Sequence, residues 1–249
     1  MMPVADERMA DECEAEMAAA KALARACHRL HARGLLAGAE GNLSVRLRNG
    51  DLLVTPSGVD KGSVDASQML RLHANGALGH DGTAARANSD GKSGDSRGRP
   101  SSEVGMHLAC YAARPDVCAV VLAHPPVATG FATAGRTLPA NVLPELLVVV
   151  GPVAWVPYAR PGTPALAAAM APLLKEHEVF LLANHGVTAV GTSLADALLR
   201  MESVEQAARM LFIAQSLGGA NVLDAAETTA LMALGPTARR TALLSAERL

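Results

Sequence analysis

Aromatic side chains are nearly missing from this 249-residue chain, which has three Phe, two Tyr and one Trp. Proteins that grip nucleic acid by stacking bases need more ring platforms than that. The chain also lacks an excess of either charge, with 22 Lys and Arg against 24 Asp and Glu, a net charge of -2 and a pI near 6.4. It therefore has no broad field for a phosphodiester backbone or an anionic membrane. Lysine is scarce, occurring only at Lys21, Lys61, Lys92 and Lys175, so arginine forms the basic background and single arginines carry little information. The four cysteines, Cys13, Cys27, Cys110 and Cys118, show no C-x-x-C spacing, which argues against a zinc knuckle or a redox pair and for a reducing compartment. The acidic N-terminus has no basic, then apolar, leader pattern. The most membrane-like run, 146–159, is broken by Pro152 and Pro157 and falls short of the ~20 residues a spanning helix needs. A cytoplasmic protein is expected, with neither nucleic acid nor membrane as partner.

What is present is a globular composition, 50% hydrophobic and 18% charged, in a chain long enough to bury roughly seven tenths of its unfolded surface. One domain over 1–249 is the expectation. A proline-free stretch from about Asp6 to Arg33, stopped by Gly34, predicts a long helix. Alternation over Asn42–Arg48, the Asn49-Gly50 turn and Asp51–Thr55 predict a β-hairpin, and Met69–His73 reads as a further strand. Residues 75–100 hold six glycines and predict a long, mobile loop. Beyond it come a helix starting at Pro100-Ser-Ser-Glu103, a strand over Val117–Ala123 ending at His124-Pro125-Pro126, and short strands within 141–156. A helix over Gly162–Leu174, a strand over Val179–Ala183, the Asn184-His185-Gly186 turn and a helix over Ser193–Leu217 follow, with a helical tail over about 218–249. Strands interleaved with helices but joined partly by hairpins imply an α/β protein with a mixed, mostly antiparallel sheet.

Three segments carry residues suited to chemistry. The helix start at Ser101-Ser102-Glu103 offers unpaired N–H groups, two hydroxyls and a carboxylate; alone it reads first as ordinary capping and second as a phosphate seat. The Thr55-Pro56-Ser57-Gly58 turn allows close backbone approach at its glycine. His124 and His185 stand at strand ends, where a neutral imidazole can ligate a metal or simply close a turn. Glu103 and His107 lie four apart on one helical face, whereas His28 and His31 read as solvated.

In order along the chain, Glu40-Gly-Asn-Leu-Ser44, Val54-Thr-Pro-Ser-Gly58, Arg99-Pro-Ser-Ser-Glu103 with His107, Ala123-His-Pro-Pro126, Pro157-Tyr-Ala159 with Pro161-Gly-Thr163, and Ala183-Asn-His-Gly186 resemble the class II aldolase/adducin family. The resemblance covers about residues 10–215. It implies a three-layer α/β/α sandwich around a mostly antiparallel sheet, and a homotetramer. It implies a phosphate site at Asn42, Ser57, Gly58, Ser101 and Ser102, a catalytic carboxylate at Glu103, and a divalent metal, zinc foremost, on His124, His185 and Glu103. The implied activity is retro-aldol cleavage of a phosphorylated ketose, of the L-fuculose 1-phosphate type, through a metal-stabilised enediolate. A sister epimerase, decarboxylase or dehydratase of a sugar phosphate, or a non-catalytic adducin-like assembly module, are the alternatives. Two positions depart from the family pattern. Leu122 stands where the family carries the first histidine of a His-x-His pair, whose side chains share one strand face. Leu143 is the nearest counterpart of a family tyrosine, and the only tyrosines are Tyr111 and Tyr158.

Overall fold

The computed structural model describes residues 4–74, 76–78 and 98–236. The loop expected over 75–100 and the end of the C-terminal tail thus lie largely outside the described residues. Seven strands form one sheet in the order β3-β2-β1-β4-β7-β6-β5: β1 (Asn42–Arg46), β2 (Leu52–Val54), β3 (Leu70–Leu72), β4 (Ala119–Ala123), β5 (Ala154–Val156), β6 (Val179–Leu182) and β7 (Gly186–Gly191). Every neighbouring pair is antiparallel except β5 and β6. The helices are α1 (Val4–Ala32), α2 (Val104–Ala113), α3 (Pro126–Thr133), α4 (Pro164–Met170), α5 (Leu194–Ser216) and α6 (Ala225–Met232).

Alternation sorts the strand residues onto two faces. Leu43, Leu53, Val121, Leu181, Val187 and Ala189 pack with Leu23, Cys27 and Leu30 of α1, Phe131 of α3 and Met201 and Val204 of α5. Val120, Leu122, Phe180 and Val190 pack on the opposite side with Met106 and Cys110 of α2 and Leu166 and Met170 of α4. The result is the expected three-layer α/β/α sandwich with a mixed, mostly antiparallel sheet. Among the described residues no helix is long and apolar enough to cross a membrane.

Helix ends follow local chemistry. At the close of α1, Gly34 adopts φ +69°, its N–H bonds His31 O and the Leu35 N–H bonds Leu30 O, the paired bonds of a left-handed glycine stop. Ser193 caps α5 by accepting from the Asp196 N–H at 3.1 Å, satisfying one of the helix's unpaired donors.

The short strands expected within 141–156 are only partly present. Ala140–Val142 is a tight helical turn, Leu146–Val150 a wide π-type turn, and only Ala154–Val156 is a strand. A brief apolar run does not distinguish strand from helix by period; here Leu146, Leu147 and Val150 are buried and the turn packs against α5. Helix α3 begins within the His124-Pro125-Pro126 stop, at Pro126. Proline suits a first helical turn, where no N–H partner is needed.

Candidate active site

The C-terminal end of β4, the β6–β7 turn, the start of β1 and the N-terminus of α2 meet at one end of the sheet. Two glycines permit the approach. A Cβ on Gly41, itself at φ +68°, would stand 2.7 Å from Leu122 O, and one on Gly186 would stand 2.6 Å from Ala123 O and 2.7 Å from the His124 ring. Asn184, at φ +55°, is the one non-glycine residue with positive φ among those described; asparagine tolerates that conformation, and the turn it makes presents His185.

Glu103 is the N-cap residue of α2 but does not cap it with its side chain. Its carboxylate turns instead toward the sheet. Oε2 accepts from Asn42 Nδ2 at 2.7 Å and Oε1 lies 3.0 Å from His185 Nε2. Ser101 Oγ accepts from Asn42 Nδ2 at 3.1 Å and from the Glu103 N–H at 3.2 Å. Burial opposes ionisation of Glu103, but contact with His185, followed by the Asn42 N–H, outweighs it and holds the carboxyl below its ordinary value. Glu103 is thus an anion at neutral pH.

That charge fixes the polarity of a buried chain behind it. Because Asn42 donates to Glu103, its Oδ1 faces His107 Nε2, which must therefore carry the proton. His107 Nδ1 then accepts from Ser44 Oγ at 2.6 Å, and Ser44 in turn accepts from the Tyr111 hydroxyl at 2.8 Å. Burial drives the His107 pKa down to about 4, against the opposing charge of Glu103, so the ring is neutral as this bonding requires. Burial likewise pushes the Tyr111 hydroxyl up, out of reach of physiological titration. Ser44 and Tyr111 had no assigned role in the sequence reading. The signal was there: Asn42 and Ser44 share a strand face, and Glu103, His107 and Tyr111 recur every four residues along α2, a polar stripe on a buried face.

The residues expected at a phosphate site are gathered unequally. Asn42 and Ser101 touch. The Ser57 turn is tied to the same segment, its N–H bonding Arg99 O at 2.8 Å beside a Pro56–Pro100 bridge. Gly58, at φ +72°, faces open space, while Ser102 Oγ points at the Gly162 turn. Neither is hydrogen-bonded to the Asn42 side chain.

Of the expected metal ligands, Glu103 and His185 converge directly, and the His124 and His185 rings lie 5.5 Å apart between centroids. Glu40 Oε2 stands 3.3 Å from His124 Nδ1. Burial, then the charge of His185, holds His124 below its ordinary pKa. Glu103 Oε1, His124 Nδ1 and His185 Nδ1 are buried without a well-aligned hydrogen-bond partner, so one such atom falls on each expected ligand. Imidazole and carboxylate have the donor chemistry of a divalent-ion site, yet among the described residues no three such side chains are assembled around one point. Leu122, at the position of the missing histidine, is fully buried between Asn42 and Thr188 of the flanking strands. The donors fit a divalent ion in kind but are not arranged as a closed three-ligand cage.

Residues 21–212 match the Class II Aldolase and Adducin N-terminal domain. The chain belongs to that family. It is 34% identical over 209 residues to the 3-oxo-tetronate 4-phosphate decarboxylase of Escherichia coli (strain K12), a match spanning 82% of this chain and 91% of that protein. The crystal structure of YgbL from Escherichia coli superposes with a TM-score of 0.77 at 31% identity, covering 87% of this chain and 99% of that one. An L-fuculose 1-phosphate aldolase superposes with a TM-score of 0.74 at 30% identity, covering 86% and 94%. This family member is an aldolase-like enzyme, and the retro-aldol expectation must be weighed against relatives of both reaction types.

Proposed function

We propose that this class II aldolase-family enzyme decarboxylates a phosphorylated 3-oxo sugar acid, working in the cytoplasm as a homo-oligomer. The observation that carries the reading is the placement of ionised Glu103 next to Ser101 and Asn42. A phosphate seated on Asn42, Ser57, Gly58, Ser101 and Ser102 would fix one end of a short substrate, leaving its oxo carbon near Glu103, His185 and His124. The likeness to a 3-oxo-tetronate 4-phosphate decarboxylase at 34% identity supports this substrate class over an aldol.

The chemistry also asks less of the site than retro-aldol cleavage does. Loss of CO2 from a 3-oxo acid breaks the bond between the carboxylate carbon and C2; the electron pair moves onto the oxo oxygen as an enolate, and C2 later takes a proton. No base is needed for the departing CO2, whereas an aldol fragment leaves as an aldehyde only after a base has taken the proton of its hydroxyl. Tyr111 is committed to Ser44 in the core and Tyr158 is 63% exposed, so neither is placed to take that proton within this chain. Glu103, being anionic, orients the His185 ring through its 3.0 Å contact with Nε2, which leaves the unpartnered Nδ1 to an ion that binds the oxo oxygen and stabilises the enolate. A divalent ion, zinc by its taste for imidazole and carboxylate, would be held by Glu103, His185 and His124 and would withdraw charge from the oxo group.

The apolar side chains exposed along α5, Leu199, Met210, Phe212, Ile213 and Leu217, support the oligomer, since contiguous exposed apolar surface marks an interface. Product analysis tests the reaction. Incubation with 3-oxo-tetronate 4-phosphate should release CO2, and L-fuculose 1-phosphate should yield little dihydroxyacetone phosphate. The reverse preference would restore the aldolase reading, and turnover of neither, with no phosphate binding, would make the chain an assembly module.

A further inference from the structure

Lys61 is a buried cation that the proposed reaction does not use. Its side chain is completely inaccessible, and Nζ donates to three backbone carbonyls: Val59 O at 2.8 Å, Ala39 O at 3.3 Å and Pro56 O at 3.3 Å. Its own N–H bonds Gly38 O at 2.7 Å. These acceptors lie on just two loops. One runs through Gly38 and Ala39 into Glu40-Gly41-Asn42; the other is the turn that carries Ser57 and Gly58, which Pro56 and Val59 flank on either side. A single ammonium group thus fastens together the two loops that present three of the expected phosphate ligands.

Among the described residues the ammonium forms no ion pair. The adjacent Asp60 carboxylate is exposed and turned to the Gly62 N–H and the Ser63 hydroxyl. The other neighbour, Cys27, is a neutral thiol, pushed up to about 12 by burial. Burial lowers the lysine pKa, and the nearby Asp60 charge only partly opposes it, the response of a cation taken out of water without a close anion. In a chain whose basic residues are mostly arginine, lysine at this place has a geometric reason: three carbonyls around one point suit a compact ammonium, not the planar fork of a guanidinium.

We propose that Lys61 is a positioning residue for phosphate recognition, clasping the 38–42 and 56–59 loops and supplying the buried positive charge that a phosphate dianion seated between them would neutralise. This rests on the phosphate-site reading above, and the test separates the two. Inorganic phosphate is titrated into the wild-type protein and into Lys61→Met by calorimetry, and kcat/KM is measured for the 3-oxo acid with and without its phosphate. Lys61→Met should weaken phosphate binding on the order of tenfold or more and lower kcat/KM for the phosphorylated substrate by a larger factor than for the unphosphorylated acid. A merely structural lysine would lower both substrates alike, and that result, or an unchanged phosphate affinity, overturns the proposal.

Should Lys61→Met fail to fold, the wild-type protein still decides. With only four lysines, side-chain 13C labelling gives a resolvable lysine spectrum, and Lys61 should deprotonate at higher pH when saturated with inorganic phosphate. An identical titration with and without bound phosphate overturns the role of Lys61 alone. No phosphate binding by the wild type overturns the phosphate site, and Lys61's role with it.

Discussion

The two ends of the sheet handle buried charge in opposite ways. Where β4 and β6 begin and β7 ends, Glu178 sits between Arg114 and Arg200 at 3.2 and 3.4 Å, Arg114 also pairs with Asp116 at 2.7 Å, and Arg200 holds Val190 O and Asp196. Each acid there faces a base. At the other end Glu103, His124 and His185 keep buried polar atoms without aligned partners, and Lys61 has only carbonyls. Buried polar atoms are normally satisfied, and a cluster of exceptions marks a place where another molecule completes the set. The first end leaves one such atom, Arg200 Nε, and the second three on facing side chains; on the proposed function a ligand completes the second, the open end.

That contrast is broken or sharpened most strongly at Glu103. Glu103→Gln keeps the size and one acceptor but removes the charge, and turnover should fall by roughly 10²–10⁴-fold, the usual worth of a positioned proton-transfer or orienting group, with a smaller loss of stability than at Glu178. Glu178→Ala should do the opposite. It leaves Arg114 and Arg200 buried with fewer counter-charges and should cost about 3 kcal/mol in denaturant unfolding, while kcat of the folded protein is retained. An activity loss at Glu178 without a stability loss would erase the distinction between the ends.

Acid should act on the open end through His107 and Glu103. The folded His107 pKa, about 4, lies below its ordinary value of 6.5, so its contribution is complete above pH 6.5 and is lost as pH falls toward 4. Integrated over that shift the loss is roughly 3 kcal/mol. Glu103, also held low, loses its contribution in the same direction as pH drops through its folded pKa. Unfolding measured at pH 7 and pH 4.5 should show a smaller drop for His107→Gln than for the wild type; equal drops would mean that His107 is not the buried neutral link described. The smallest effect is expected from Leu122→His. A new imidazole in the apolar layer beside Val120 and Met106 should cost about 1–3 kcal/mol without metal, and zinc should recover more melting temperature in the variant than in the wild type. A stability loss that zinc does not repair would show that position 122 is core and not part of an ion site.

Much of this arrangement was legible because its cause is local. The alternation in β1, β2 and β4 set their faces, and the Asn49-Gly50 and Gly34 positions set a turn and a helix end. The motif around Glu103 and the histidine turn at Asn184-His185-Gly186 led to two residues that do meet. What escaped depends on packing that no short window reveals. Leu146–Val150 reads as strand by composition and is wound into a turn by its contact with α5. Helix α3 hides behind Pro125-Pro126, which reads as a break and acts as a start. No short window around Tyr111 or Lys61 shows what either does; only the fold sets Tyr111 on Ser44 and brings carbonyls from residues 39, 56 and 59 around one nitrogen.

The central claim is that the open end binds a phosphorylated 3-oxo acid by its phosphate and decarboxylates it at Glu103 and His185. The most direct measurement is kcat/KM for CO2 release from 3-oxo-tetronate 4-phosphate and from the same acid without phosphate, in the wild type and in Ser101→Ala. A strong preference for the phosphorylated acid, reduced in Ser101→Ala, is the predicted result. Equal values for the two acids, or CO2 release from neither, would contradict it.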